Sequence, residues 1–369
     1  MKIIAFYLPQ FHSFPENDEW WGKGFTEWTN VKSAKPSFAG HNQPKVPLNN
    51  NYYNLLDADS LRWQSSLAKE YGIYGFCYYH YWFDGKMLMQ QPMEMLLKNK
   101  DIDQPFCICW ANEDWTRAWA KKERTVLIGQ TYGGRKDWEE HFEYLLPFFQ
   151  DERYIKVDGK PLFVIYRPEL IGVLSEMLSC WDEMAEKAGL PGVAYAYQQV
   201  TYNHQKEATG ELFDYGIEYQ PGYVKKDQQK SLKLVSRKLL NDIVRKFNLP
   251  QRKWSTIYYD YDETWKRILE VEPRDGKMFP GAFVDWDNTP RYKNGSSIIY
   301  GYTAEKFKNY LSQQIKRAKE VYKKDMIFLF AWNEWGEGGY LEPDESEKFA
   351  RLEAVRDALR ENNEFPLSE

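Results

Sequence analysis

Short apolar runs recur along the chain, and each gives way abruptly to polar and aromatic residues at its C-terminal end. Ile3–Leu8, Gly72–Tyr79, Pro105–Trp110, Pro161–Tyr166, Gly192–Tyr197, Asp214–Tyr219 and Met278–Val284 read as strands, and an eighth begins at Ile327. Apart from Asp214–Tyr219, which carries two acids and is the weaker sixth, the runs are continuously apolar and do not alternate, the pattern of parallel strands buried on both faces. Longer amphipathic stretches predict helices over Leu61–Tyr71, Met87–Asn99, Trp138–Phe149, Leu174–Ala188, Leu232–Phe247 and Ala304–Val321. Eight strands with helices between most of them predict an α/β fold, a (β/α)8 TIM-type barrel. Residues 1–369 read as a single domain with elaborated loops and an insertion at about 224–277. A doubly wound nucleotide-binding sheet is the alternative, but Pro9-Gln10 stands where a Gly-rich phosphate turn would follow the first strand.

In such a barrel the C-terminal strand ends build the active site. The eighth run carries the strongest signal, because it breaks into Trp332-Asn333-Glu334-Trp335-Gly336-Glu337-Gly338. Two carboxylates between aromatic walls suit cleavage of a glycosidic bond, so Glu334 and Glu337 are the candidate catalytic pair. The competing reading is a helix turn bearing two solvated glutamates. The other strand ends supply candidate sugar contacts. These are Tyr7 and Gln10, then Glu27 and Trp28 in the first loop, then Tyr79, His80 and Trp82 after strand two. Trp110, Asn112, Glu113 and Arg117 follow strand three, and Tyr166 and Arg167 follow strand four. Tyr219 and Gln220 follow strand six, Asp285 and Trp286 strand seven, and Trp332, Asn333 and Trp335 flank the acids. For each, a structural hydrogen bond competes with direct contact, most evenly at His80, while Glu27 could equally anchor its own loop.

Composition narrows the class. Aromatic residues reach 17%, with 15 Trp, and sugar faces stack on such rings. The net charge of −5 argues against nucleic acid, and the basic stretch Lys225–Lys233 reads as a solvated face. Cys77, Cys107, Cys109 and Cys180 lie in or beside apolar runs without metal-ligand spacing, so free buried thiols are expected and no metal or cofactor is implied. No run is long enough to span a membrane, and Met1-Lys2 leads straight into the first strand, an arrangement that predicts a cytoplasmic protein. Oligomeric state is not legible.

Five segments carry a resemblance. Tyr7-Leu8-Pro9-Gln10-Phe11-His12 with Asn17–Val31, Gly75–Phe83, and Trp110–Trp115 together with Trp332–Gly338 resemble the WbsX-type proteins of bacterial polysaccharide gene clusters, which are similar to glycoside hydrolase family 99. The resemblance implies a retaining barrel hydrolase acting within α-mannoside chains. It implies that Glu334 is a general base on the substrate's own 2-hydroxyl, giving a 1,2-anhydro sugar, and that Glu337 is first acid and then base. Family 99 commonly has His where this chain has Gly336, which puts the identity of the sugar in question. WbsX-type proteins have also been labelled glycosyltransferases of surface-polysaccharide synthesis. That rival reading would use Asp260-Tyr261-Asp262 or Asp285-Trp286-Asp287 to hold a metal–diphosphate. A non-catalytic sugar-binding barrel is a third option. Turnover without nucleotide, stabilisation by nucleotide and metal, or binding without turnover separates the three.

Overall fold

The computed structural model describes residues 1–116, 126–200, 210–228, 256–292 and 295–366. Eight parallel strand positions form a ring: β1 (Lys2–Tyr7), β2 (Ile73–Phe83), β3 (Phe106–Trp110), β4 (Lys160–Ile165), β5 (Ala194–Gln199), β6 (Tyr215–Glu218), β7 and β8 (Met326–Phe330). β7 is split at Pro280 into Met278–Phe279, which pairs with β6, and Gly281–Phe283, which pairs with β8. β8 pairs in turn with β1, so the broken strand completes the barrel. The break brings β7 very close to β6: a Cβ on Gly281 would lie 1.7 Å from the Glu218 carbonyl oxygen, so only glycine fits.

Burial on both faces explains the unalternating strands, with all five residues of β3 and of β8 buried. Helices Ala58–Glu70, Gln91–Lys98, Arg135–Phe149, Leu174–Lys187, Tyr261–Glu270, Ala304–Glu320 and Ala350–Glu361 follow β1, β2, β3, β4, β6, β7 and β8. Ala304–Glu320 shows how the sequence specifies them. Thr303 caps its start by accepting from the Lys306 amide, and Phe307, Leu311, Ile315 and Ala318 bury one face at helical spacing.

One predicted helix begins too early. Met87 and Leu88 belong to a hairpin with the end of β2, pairing with Trp82 and Tyr81. Asp84-Gly85, both at positive φ, make the tight turn that the apolar pattern alone did not show. Of the stretch read as an insertion, Ile257–Asp260 and the Tyr261–Glu270 helix pack on the barrel, with Tyr261 and Trp265 fully buried. The helix expected over Leu232–Phe247 lies outside the described residues. The four cysteines are buried and free. Among the described residues no helix is long and apolar enough to cross a membrane.

Candidate active site at the barrel mouth

Beyond β8 the chain turns through a cis Phe330–Ala331 peptide into a short hairpin. Asn333–Glu334 pairs antiparallel with Gly339–Tyr340, and the 3-10 turn Trp335–Glu337 forms its tip. Asn333 fastens the hairpin to β1: its Oδ1 accepts from the Leu8 amide at 2.8 Å and its Nδ2 donates to the Leu8 carbonyl at 3.0 Å. Glu334 is 4% exposed and the Glu337 side chain 14%, so a helix turn with two solvated glutamates is overturned.

The centre of the site is a residue the sequence did not single out. Arg291 spreads its guanidinium over three carboxylates. Its Nε donates to Glu27 Oε1 at 2.8 Å, its Nη2 to Glu334 Oε2 at 2.8 Å, and its Nη1 lies 3.1 Å from Glu337 Oε1. One cation and three acids share a nearly dry volume, where each charge weighs more than in water. Burial pushes the Glu334 carboxyl up to about 8, opposed by Arg291 and reinforced by the charges of Glu337 and Glu27. Burial likewise raises Glu27, with Arg291 opposing.

Gly336 makes this cluster possible. A Cβ there would fall 1.8 Å from Glu27 Oε1 and 2.9 Å from Arg291 Nε. The position that departs from the family 99 pattern is therefore the position into which Glu27 packs. Glu27 arrives on the first turn of a short helix, Glu27–Ser33, whose leading amide donates to the Gln10 carbonyl.

A second buried acid, Glu342, supports the hairpin and was also not singled out. It accepts from Trp335 Nε1 at 2.6 Å, Gln64 Nε2 at 2.7 Å and the Tyr53 hydroxyl at 2.9 Å, and burial raises it to about 7. Tyr7 joins this network and not the mouth, donating to Gln64 Oε1 at 2.6 Å. Trp335 stacks on Tyr340 with ring centres 3.8 Å apart and packs against Trp28, whose Nε1 donates to the Tyr53 carbonyl.

The other expected contacts fall into three groups. Tyr79, Tyr166 and Tyr219 gather near the acids; burial raises all three phenols, and the charges of Glu334 or Glu337 add to the effect. They therefore stay protonated as donors, as does Tyr81, which also feels Glu334. His80, Trp82 and Trp110 instead form a packed cluster against the helix Arg135–Phe149. His80 Nε2 and His141 Nε2 are 2.9 Å apart, Trp82 stacks on His141, and Trp110 Nε1 donates to the Trp82 carbonyl. Burial holds His80 down to about 3, so it stays neutral. Asn112 clasps the Arg167 backbone through two 2.7 Å bonds, and Arg167 pairs with Glu113 and Glu169. Glu113 and Arg167 line a rim cavity of about 440 Å³ with Asp114, Gln130 and Tyr132. Arg117 lies outside the described residues. Trp332 is fully buried against Phe76, and Gln220 is buried beside β7.

Both Asp-x-Asp motifs are spent on other bonds. Asp260 caps its helix through the Glu263 amide, and Asp262 takes Lys306 and the Tyr310 hydroxyl. Asp285 accepts from the Trp286 amide, while Asp287 accepts from Gln43 and Thr289 and pairs with His41. Among the described residues no cluster of three or more His, Cys, Asp or Glu side chains is arranged to hold a metal ion.

A family model described as glycosyltransferase WbsX matches residues 3–355. Two curated relatives from Xanthomonas campestris pv. campestris, both described as uncharacterized protein WxcX, are 33% and 34% identical over 359 residues. That alignment covers 97% of this chain and 49% of each relative, so the chain spans about half the length of the curated relatives it matches. Among solved structures, a GH99 endo-alpha-mannosidase from Bacteroides thetaiotaomicron superposes with a TM-score of 0.56 at 13% identity, over 98% of this chain and 96% of that one. A glycoside hydrolase-like protein superposes at 0.58 with 11% identity, over 100% and 94%. At such identities the likeness is one of fold.

Proposed function

Because the chain belongs to the WbsX family and carries two carboxylates on one buried guanidinium at a barrel mouth, we propose that this carbohydrate-active enzyme is a retaining glycoside hydrolase. Its substrate is an α-linked, mannoside-like oligo- or polysaccharide. The observation that carries the reading is the Glu334–Arg291–Glu337 contact, since hydrolysis needs one acid to give a proton while the other takes one.

In the first step Glu334 accepts the proton of the substrate's 2-hydroxyl as that oxygen bonds to the anomeric carbon. The bond to the leaving oxygen breaks, and Glu337 protonates it, leaving a 1,2-anhydro sugar. In the second step Glu337 takes a proton from water as the water oxygen attacks the anomeric carbon, and Glu334 returns its proton to the 2-oxygen. Burial favours a proton on Glu334 in the resting site, with Arg291 opposing. A substrate hydroxyl donating to Glu334 favours its ionised form, the form that acts as base. The Asp-x-Asp bonding supports hydrolysis over transfer from a nucleotide sugar, because each aspartate already has another partner.

The test is release of reducing ends from α-mannans and bacterial O-polysaccharides without nucleotide or added metal. On the cleaved glycan, kcat/KM falls about tenfold per pH unit above about 8, where the proton held on Glu334 is lost. A profile flat from pH 7 to 10 contradicts this assignment.

A further inference from the structure

Lys225 was expected on a solvated loop or helix face, and the structure places it on a helix but turns it toward Trp286 and Ser297. It lies on the helix Gly222–Gln228, partly buried, beside the small sheet formed by Ile257–Asp260, Ser297–Tyr300 and Trp286–Asp287. Its Nζ sits 3.7 Å from the centre of the Trp286 ring and 5.5 Å from that of Tyr259. It donates to Ser297 Oγ at 3.1 Å, and Trp286 Nε1 donates to the same oxygen at 2.8 Å. The Ser297 hydroxyl thus accepts twice and keeps its own proton as a donor. Among the described residues no carboxylate lies within ion-pair distance of Lys225. The residue is nevertheless close enough to the catalytic hairpin to feel Glu337, whose charge opposes the lowering of the ammonium by burial to about 7. Trp286 is accordingly flanked by Lys225 and Phe330 and is not an open sugar platform.

An ammonium held off water without an anionic partner is driven toward its neutral form, and a bound anion would favour the charged form again. The remaining ammonium protons and the Ser297 proton form a cradle for one negative charge. Arg291 is already committed to three acids, so it does not serve as a second cation for a diphosphate. We propose that Lys225 and Ser297 bind the carboxylate of an acidic sugar residue, so that the glycan taken by this site bears uronic or similarly acidic residues beside the bond to be cut. The proposal rests on the hydrolase reading only for which bond is cut; the binding stands apart from it.

The experiment uses oligosaccharides from uronate-containing bacterial polysaccharides and their carboxyl-reduced counterparts, in which each CO2H has become CH2OH. Calorimetry on Glu334→Gln, which binds without turnover, is expected to show the acidic form bound about tenfold more tightly, the worth of one charge-assisted hydrogen bond. Adding Lys225→Met brings the two forms within about twofold, and Lys225→Arg keeps most of the preference, which a purely structural role for the lysine would not produce. Equal binding of the two forms, no binding of any acidic glycan, or an unchanged preference in Lys225→Met overturns the proposal. So does binding of a nucleoside diphosphate, and not of glycans, that Lys225→Met abolishes. Acidic preference without cleavage sinks the hydrolase reading alone; cleavage without acidic preference sinks this one alone.

Discussion

Glu337→Gln lowers kcat by about 10²–10⁴-fold, and Glu334→Gln does the same, because each removes one proton-transfer role from the pair. The stability of the two variants is the informative companion. Glu334 is buried, and its folded-state proton affinity is raised, so ionising it weakens the native state. The sign follows directly. Stability owed to this group is full below the unfolded carboxyl range and is lost as pH rises through about 8. A neutral glutamine escapes that loss, so Glu334→Gln should melt no lower than the parent at pH 8–9 while its turnover collapses. Activity lost with stability kept marks an acid retained for chemistry at the expense of stability. Turnover surviving both substitutions within about tenfold contradicts the assignment, given the size of a proton-transfer role. Melting curves and initial rates on the same preparations give both answers.

Arg291→Met has the largest effect on the fold. The substitution leaves Glu27, Glu334 and Glu337 without the guanidinium that pairs all three, and breaking a buried pair from one side costs about 3–5 kcal/mol. The loss depends on pH in a defined direction. Arg291 holds Glu334 and Glu27 down, so removing it raises both further, and each carboxyl then resists ionisation over a wider range. The deficit in melting temperature should therefore be small near pH 5, where protonation relieves the repulsion, and grow toward pH 9. A deficit independent of pH would show that Arg291 serves packing alone. Arg291→Lys recovers charge but cannot reach three acids from one planar fork, so it should restore stability only in part.

The barrel was legible because parallel strands buried on both faces leave unbroken apolar runs, as in Lys2–Tyr7 and Met326–Phe330, whereas Tyr215–Glu218 carries a buried acid and gave the weaker signal. The placement of Glu334 and Glu337 at the barrel mouth was legible for a related reason: both follow directly on a buried strand, whose C-terminal end opens there. Arg291 was not, because it comes from an irregular segment after Trp286–Asp287, and nothing local distinguishes it from the chain's other cations. Its role exists only once Glu27, far back in sequence, packs into the space left by Gly336. Lys225 was hidden for the opposite reason, since its neighbours in sequence look solvated while its neighbours in space are Trp286 and Ser297. Several expected sugar contacts, among them Tyr7, His80 and Trp82, show how an aromatic strand end also serves as core, with their polar atoms bonded to Gln64, His141 and Asp137. Sequence position gives a strand end but not which way each of its side chains turns.

The central claim is that this site cuts a glycan with water and does not build one from a nucleotide sugar. Incubation of a cleaved α-linked glycan in ¹⁸O-enriched water, with no nucleotide and no added metal, tests it most directly by mass spectrometry of the products. The account predicts one ¹⁸O on each newly exposed anomeric carbon with the wild-type chain and none with Glu337→Gln. Glycans that gain no label and no new ends, but grow when a nucleotide sugar and a divalent cation are supplied, would contradict it.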